Sequence, residues 1–246
     1  MISIDLNCDM GEGMNNDALI MPFISSANIA CGYHAGNEAI MQKTIELSLQ
    51  YGIAIGAHPG FADKENFGRI EQQLSHQAYY DLVSEQLFII QKFIDEAGAT
   101  LHHVKPHGAL YNMSAKDPSL ANIIAKAVKD HNALLILYGL SNSHSITEAE
   151  KLNLKTASEV FADRTYTDAG NLTPRTQPNA LISSEQQSLQ QVLQMIEQQT
   201  VTSTSHKIIP VNADTICIHG DGDHAVQFAQ LIFTTLKENN IAIKPV

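Results

Sequence analysis

Asp5, Asn7, Asp9 and Glu12 fall inside the opening segment IDLNCDMGEG at a spacing that can do chemistry. Along a β-strand alternate side chains share a face, so Asp5, Asn7 and Asp9 point one way, with Glu12 just beyond in a Gly-flanked turn. Burying three polar side chains on one face is costly unless they are paired. They read either as a hydrogen-bonded network that fixes a strand end or as part of a site. In the second reading Asp9 is the acid/base or cation-binding candidate, and Asp5, deeper in the strand, is structural.

The pattern recurs. HHVKPHGALYN (102–112) puts His103, Lys105 and His107 on one parity, and Pro106, which lacks an N–H, should end the strand there. A rim lysine beside a histidine can hold an anion while the imidazole moves a proton; the plainer alternative is a solvated lysine with a capping histidine. ICIHGDGD (216–223) aligns Cys217, His219 and Asp221, a His–carboxylate pair or simply a Gly-rich turn. NIACGYHAGN (28–37) supplies Asn28 and His34, and GAHPG (56–60) supplies His58. Arg69, Arg164 and Arg175 suit bidentate capture of an anionic substrate, although each alone could be a surface ion pair. Glu159 and Asp163 are placed to pair with Arg164. Cys8 and Cys31 read as small buried residues, not nucleophiles, because no Cys–His spacing accompanies them.

Several such clusters, each closing a strand-like run and preceding a helix-like one, require an α/β scaffold that gathers strand ends into one pocket. The runs are ISIDLN, ANIAC, IAIGA, HHVKP, ALLILYG, LKTASEVF and DTICIHG. Helical patterns lie between them at 77–99, 118–131, 183–199 and 223–240, with Asp117 as N-cap and Pro118 as first helical residue of the second. On 77–99 the residues Tyr79, Leu82, Val83, Leu87, Ile90, Phe93, Ile94 and Ala97 form one stripe. About seven β-α repeats imply a parallel (β/α) barrel in one domain, 1–246. The loop at 163–180 is long enough to be functional or mobile, and VTSTSH (201–206) reads as a surface linker.

Composition narrows the partners. The 246 residues are 44% hydrophobic and 17% charged with a net charge of −11, which argues against nucleic-acid or anionic-membrane surfaces. No signal-peptide pattern opens the chain, no run approaches a membrane span, and three scattered cysteines fit a reducing cytoplasm. GxxxxGK[ST], HExxH and GxSxG are all missing from the sequence. The residues by themselves thus point to a barrel enzyme acting on a small polar, anionic molecule.

The segments DLNCDMGEG, SANIACGYHAGN, GAHPGF, FGR, VKPHGALYN, EVFADRTY, LTPR and IHGDG closely resemble the LamB/YcsF family, in order from residue 2 to about residue 240. The resemblance implies a barrel of about seven strands similar to sugar deacetylases and glycoside hydrolases. It also implies the A component of a 5-oxoprolinase that opens 5-oxo-L-proline to L-glutamate with ATP hydrolysis, alongside subunits B and C. In that setting Asp9, His34, His58, Lys105, His107, His219 and Asp221 would be catalytic. Asn7, Glu12, Asn28, Arg69, Glu159, Arg164 and Arg175 would contact substrate or anions. Two segments depart from the family pattern: Ile70 follows Arg69 where a second arginine is common, and Pro178-Asn179-Ala180 replaces a Pro-Gly-Ala. ATP is then the co-substrate, a divalent cation is allowed, and self-association stays open. Two other readings remain. A stand-alone metal-dependent deacetylase or amidohydrolase would draw its ligands from Asp9, His34, His58 and His219, and a non-catalytic component would only deliver a small acid.

Overall fold

Strand β1 (Ser3–Met10) is buried from its second residue onward, and its alternation of polar and apolar side chains follows from what covers each face. Ile4, Leu6, Cys8 and Met10 belong to the main hydrophobic core, while Asp5, Asn7 and Asp9 meet one another's partners from the neighbouring strands. A computed structural model describes residues 2–218 and 225–246.

The chain then runs through α1 (Asp17–Ile20), β2 (Ser26–Ala30), α2 (Glu38–Tyr51), β3 (Ala54–His58), α3 (His76–Glu96), β4 (Leu101–Val104), α4 (Gly108–Lys116), α5 (Pro118–His131), β5 (Ile136–Leu140), α6 (His144–Lys151) and β6 (Lys155–Phe161). After these come α7 (Glu185–Gln198), β7 (Thr200–Thr202), β8 (Ile208–Pro210), β9 (Thr215–Ile218), α8 (Ala225–Glu238) and β10 (Ala242–Ile243). Strands β1 to β6 and β9 pair in parallel in that order, and β9 returns to β1 to close a seven-stranded barrel. Below that closure β10 lies beside the start of β1, matching Ser3 with Ala242 and Ile4 with Ile243.

The expected helices are present with shifted ends. On α3 the residues Val83, Leu87, Ile90 and Ile94 are fully buried, each contributing about 1.5–3 kcal/mol of burial; Leu82 is half-buried and Ala97 exposed. The Asp117 carboxylate caps α5 by accepting from Ser119 and Leu120 N–H, and Pro118 follows it as expected. Strand β4 ends at Val104, ahead of Pro106.

One reading is corrected. VTSTSH is not a plain linker, because Thr200–Thr202 pairs antiparallel with Ile208–Pro210 and buries Val201 opposite Ile209. A three-residue strand rich in threonine gives too short a pattern to stand out by alternation. The 163–180 loop folds back on itself through antiparallel bridges Arg164–Leu181 and Tyr166–Leu172, and the buried Tyr166 hydroxyl accepts from Phe161 N–H. Among the described residues no helix is long and apolar enough to cross a membrane.

Candidate active site

The barrel interior is polar and layered. At its lower level the Asp5 carboxylate accepts from Ser25, Ser26, Thr215 and Tyr138 hydroxyls at 2.6–3.0 Å. Burial raises its pKa, the four donors opposing the rise. Asp5 thus ties β1 to β2, β5 and β9 deep in the barrel, below the cavity.

One layer up, the His103 Nε2–H donates to Asn28 Oδ1 at 2.8 Å, which orients the amide so that its NH2 group donates to both Asn7 Oδ1 and Asp9 Oδ1. The Asn7 amide in turn donates to Glu159 Oε1 at 2.9 Å and Thr215 Oγ1 at 2.7 Å. His103 also stacks on Tyr138, with ring centroids 4.1 Å apart. It occupies the space a side chain at Gly56 would need: a Cβ there would lie 2.1 Å from His103 Nε2. That close approach explains glycine in the middle of β3.

Lys105 crowns the network. Its Nζ lies 2.8 Å from Glu159 Oε1 and 2.9 Å from Asp9 Oδ1, with Cys217 Sγ at 3.1 Å. Burial works against its charge, yet the surrounding Asp9 and Glu159 carboxylates prevail and hold its pKa well above the ordinary lysine value. The anions Lys105 holds are therefore the protein's own, and the expected pairing of Glu159 with Arg164 does not form. Arg164 is buried and donates to the backbone carbonyls of Thr173 at 2.6 Å and Ala180 at 3.3 Å, pinning the 163–180 loop. Burial and the nearby Arg175 bring its pKa down to about 10.

At the C-terminal end of the barrel three imidazoles meet. His58 Nδ1 lies 2.7 Å from the Lys105 carbonyl and His107 Nε2 lies 2.9 Å from the Phe67 carbonyl. A carbonyl only accepts, so each of those nitrogens carries the proton. The remaining nitrogens, His58 Nε2 and His107 Nδ1, face each other at 2.9 Å. Asp9 Oδ2 is 3.3 Å from His58 Nε2, and Glu12 Oε1 is 3.4 Å from both His34 Nε2 and His107 Nδ1. His34 stacks on His107 with centroids 3.8 Å apart and planes 5° from parallel. Burial, with His58 adding to it, drives the His34 pKa down to about 2, and burial beside His34 and His58 holds His107 well below its ordinary value. Phe67 closes the apolar side of this group, edge-on to both stacked rings.

The backbone is shaped to admit these rings. A Cβ on Gly60 would lie 2.7 Å from His34 Nδ1. The Gln86 side-chain amide on α3 fixes Gly60 by accepting from its N–H and donating to its carbonyl, both at 2.9 Å. Sequence reasoning passed over Gln86; a polar residue within an apolar helical stripe is the signal that could have found it.

Above the rings opens a cavity of about 520 Å³. Asp9, Glu12, His58, Lys105 and His107 line its floor, and Arg69, Lys116 and Arg175 stand at its mouth. Arg69 lies over the Phe67 ring at 4.8 Å. The structure thus brings together Asn7, Asp9, Glu12, Asn28, His34, His58, Lys105, His107 and Glu159, with the arginines at the wall and rim. His219 and Asp221 lie outside the described residues. Among the described residues the group whose donor atoms converge closely enough to hold a cation is Glu12, His34, His58 and His107, all within 4.8 Å of one another. Of the set anticipated from sequence, His34 and His58 belong to this group, Glu12 and His107 join them, Asp9 lies 3.3 Å from His58, and His219 is outside the described residues.

Comparison with known proteins places this geometry. The 5-oxoprolinase A component from Brevibacillus brevis is 52% identical over 99% of this chain and 98% of its own length. The protein of that name from Tolumonas auensis is 50% identical over 99% of both chains. The crystal structure of a lactam utilization protein from Thermus thermophilus superposes with a TM-score of 0.93 at 35% identity, covering both chains completely. The profile of the LamB/YcsF family matches residues 4–246, almost the whole barrel with its polar interior, and the chain belongs to that family.

Proposed function

We propose that this chain is the A component of a 5-oxoprolinase, opening the lactam of 5-oxo-L-proline to L-glutamate as ATP is hydrolysed, in the cytoplasm and together with subunits B and C. The observation that carries the reading is the cavity itself: acid–base groups at the floor and guanidinium groups at the mouth, in a chain about half identical to proteins of that name.

The substrate is a five-membered lactam bearing one carboxylate. Its amide is resonance-stabilised, so water attacks it slowly unless the carbonyl oxygen is activated. Transfer of the ATP γ-phosphoryl group to that oxygen provides the activation. Water then adds to the carbon, the ring C–N bond breaks with a proton passing to nitrogen, and a second water releases phosphate from the acyl phosphate. Such a sequence needs an anchor for the carboxylate and groups that take and give protons. Arg175 and Arg69, exposed at the mouth, suit the anchor. Asp9 suits proton transfer, and His58 Nε2 and His107 Nδ1, the ring nitrogens not committed to carbonyls, present their lone pairs beside it. Lys105 orients Asp9 from 2.9 Å. A cavity of this size accommodates a small ligand with room for phosphoryl oxygens. No Walker sequence is present, so a nucleotide would be held by other means in this barrel or by the partners.

The test is formation of glutamate and ADP by this chain alone and with subunits B and C added. Turnover only in the complex supports the reading. Amide or acetyl-sugar hydrolysis by the chain alone, without ATP, would replace it with a stand-alone metal hydrolase. Lactam binding without loss of complex activity on replacing His107 would leave a delivery protein.

A further inference from the structure

We propose that Glu12, His34, His58 and His107 form a binding site for one divalent d-block cation, with an open coordination position facing the cavity.

His58 and His107 have each given their N–H to a backbone carbonyl, so two lone pairs meet at 2.9 Å in a buried site. Two acceptors in that position repel unless a cation lies between or beside them. A proton could bridge that pair, but a proton joins two atoms only. Glu12 Oε1 reaches towards the same point at 3.4 Å from His107 Nδ1 and 3.9 Å from His58 Nε2, and His34 Nε2 is 3.4 Å from Glu12 Oε1. Neither ring nitrogen of buried His34 has a hydrogen-bond partner among the described residues. A metal ion can accept Glu12, His58 and His107 at once, and His34 completes the set when its ring tilts out of the stack on His107.

The spacings suit such an ion. Metal–ligand bonds of about 2.0–2.1 Å at tetrahedral angles place neighbouring donors about 3.4 Å apart. All six separations among the four donors lie within 4.8 Å: Glu12 is 3.4 Å from His34 and from His107 and 3.9 Å from His58, and the His58–His107 pair at 2.9 Å has to open by about half an ångström. The surroundings suit it too. Histidine ligands usually give their second N–H to a carbonyl or carboxylate, which fixes the ring and raises its basicity, and His58 and His107 both do so. Three imidazoles and one carboxylate favour zinc, cobalt, nickel, iron or manganese over magnesium or calcium, which prefer all-oxygen shells. His34 is closed off behind its stacked partner, whereas Glu12, His58 and His107 line the cavity with Asp9 beside them, so a ligand could approach from that side. A cation held there would act as a Lewis acid towards a carbonyl or phosphoryl oxygen.

The site is tested without lactam, ATP or partner subunits, so failure of the proposed reaction leaves it standing and its own failure leaves that reaction standing. The full chain, purified without a polyhistidine tag and stripped by chelator, is titrated with zinc and cobalt by calorimetry, the cobalt complex also being followed by its visible absorption. One equivalent per chain is expected, with bands of four- or five-coordinate cobalt. Affinity should fall by at least ~100-fold in His107→Ala and at least ~10-fold in Glu12→Gln, while His131→Gln, on the outer surface, leaves it unchanged. Should His107→Ala fail to fold, Glu12→Gln, which keeps the size of the side chain, decides. No stoichiometric uptake by the wild type overturns the proposal, as does uptake that Glu12→Gln leaves intact.

Discussion

Lys105 Nζ lies 2.8 Å from Glu159 Oε1 in the middle of the barrel, where the lysine is 2% exposed and the glutamate not at all. One ammonium there balances two carboxylates, since Asp9 approaches from the other side at 2.9 Å. Replacing Lys105 by methionine strands both negative charges in a low-dielectric interior. The loss should be about 3–5 kcal/mol of stability, seen as a lower urea midpoint. Lys105→Met combined with Glu159→Gln should recover part of it, because one of the stranded charges has gone. A single variant as stable as the parent would mean the pair is not the one described.

His107 is expected to matter for turnover more than for folding. Its Nδ1 faces the cavity group while its Nε2–H is anchored on Phe67. His107→Ala should lower kcat of the reconstituted complex by at least about 10²-fold, the scale for losing a group at the reacting centre. Circular dichroism and thermal unfolding run in parallel show whether the barrel survives. Undiminished kcat in a folded variant would remove His107 from the chemistry.

The arginines separate by burial. Arg175 is exposed at the cavity mouth, whereas Arg164 is buried and its guanidinium is spent on the carbonyls of Thr173 and Ala180. Arg175→Ala should raise KM for an anionic substrate with stability changed by less than about 0.5 kcal/mol, as for other surface changes. Arg164→Ala should instead destabilise by about 1–3 kcal/mol, leaving two buried carbonyls without their charged donor. The reverse pattern would assign the anchor to Arg164.

Gly56→Ala tests how tightly the interior is keyed. The added methyl would fall 2.1 Å from His103 Nε2, and His103 cannot retreat because Tyr138 stacks against it. The ring must leave Asn28, which then no longer orients its amide towards Asn7 and Asp9. Overpacking of this kind costs about 1–3 kcal/mol. Activity should fall with it as Asp9 loses one of its donors. Wild-type stability and turnover would show that His103 has another place to go.

How much of this could be read from the sequence depends on the range of the interaction. Asp5, Asn7 and Asp9 were legible because strand parity is local, and Lys105 because Pro106 marked the strand end. The partners of Lys105 were not, since Glu159 arrives from a strand 54 positions later and faces inward only once the barrel has closed. The grouping of Glu12 with His34, His58 and His107 was hidden for the same reason: it depends on Gly60 admitting the His34 ring and on Gln86 clamping Gly60. Each of the four residues marks itself as a site residue by its place after a strand, yet none carries a sign of which others it meets.

Acid should destabilise the protein well above the range where carboxylates titrate. Burial holds His34, His103 and His107 below their ordinary pKa, His34 at about 2. In the unfolded chain the same rings take up protons near pH 6.5. Below that pH the unfolded state therefore binds more protons than the folded one, and stability falls as pH falls. The contribution is complete above about pH 6.5 and is lost at about 1.4 kcal/mol per pH unit for each histidine. Asp5 and Asp17 oppose the trend, because burial raises their pKa values and the folded state binds those protons first. Burial lowers His102 and His131 as well, and five histidines outweigh two aspartates, so the urea midpoint of the chelator-stripped chain should drop steadily from pH 7 to pH 5. His103→Gln, which keeps a donor for Asn28, should make that decline shallower by one histidine's share. A midpoint that holds or rises over this interval would mean that the rings take up protons inside the folded barrel.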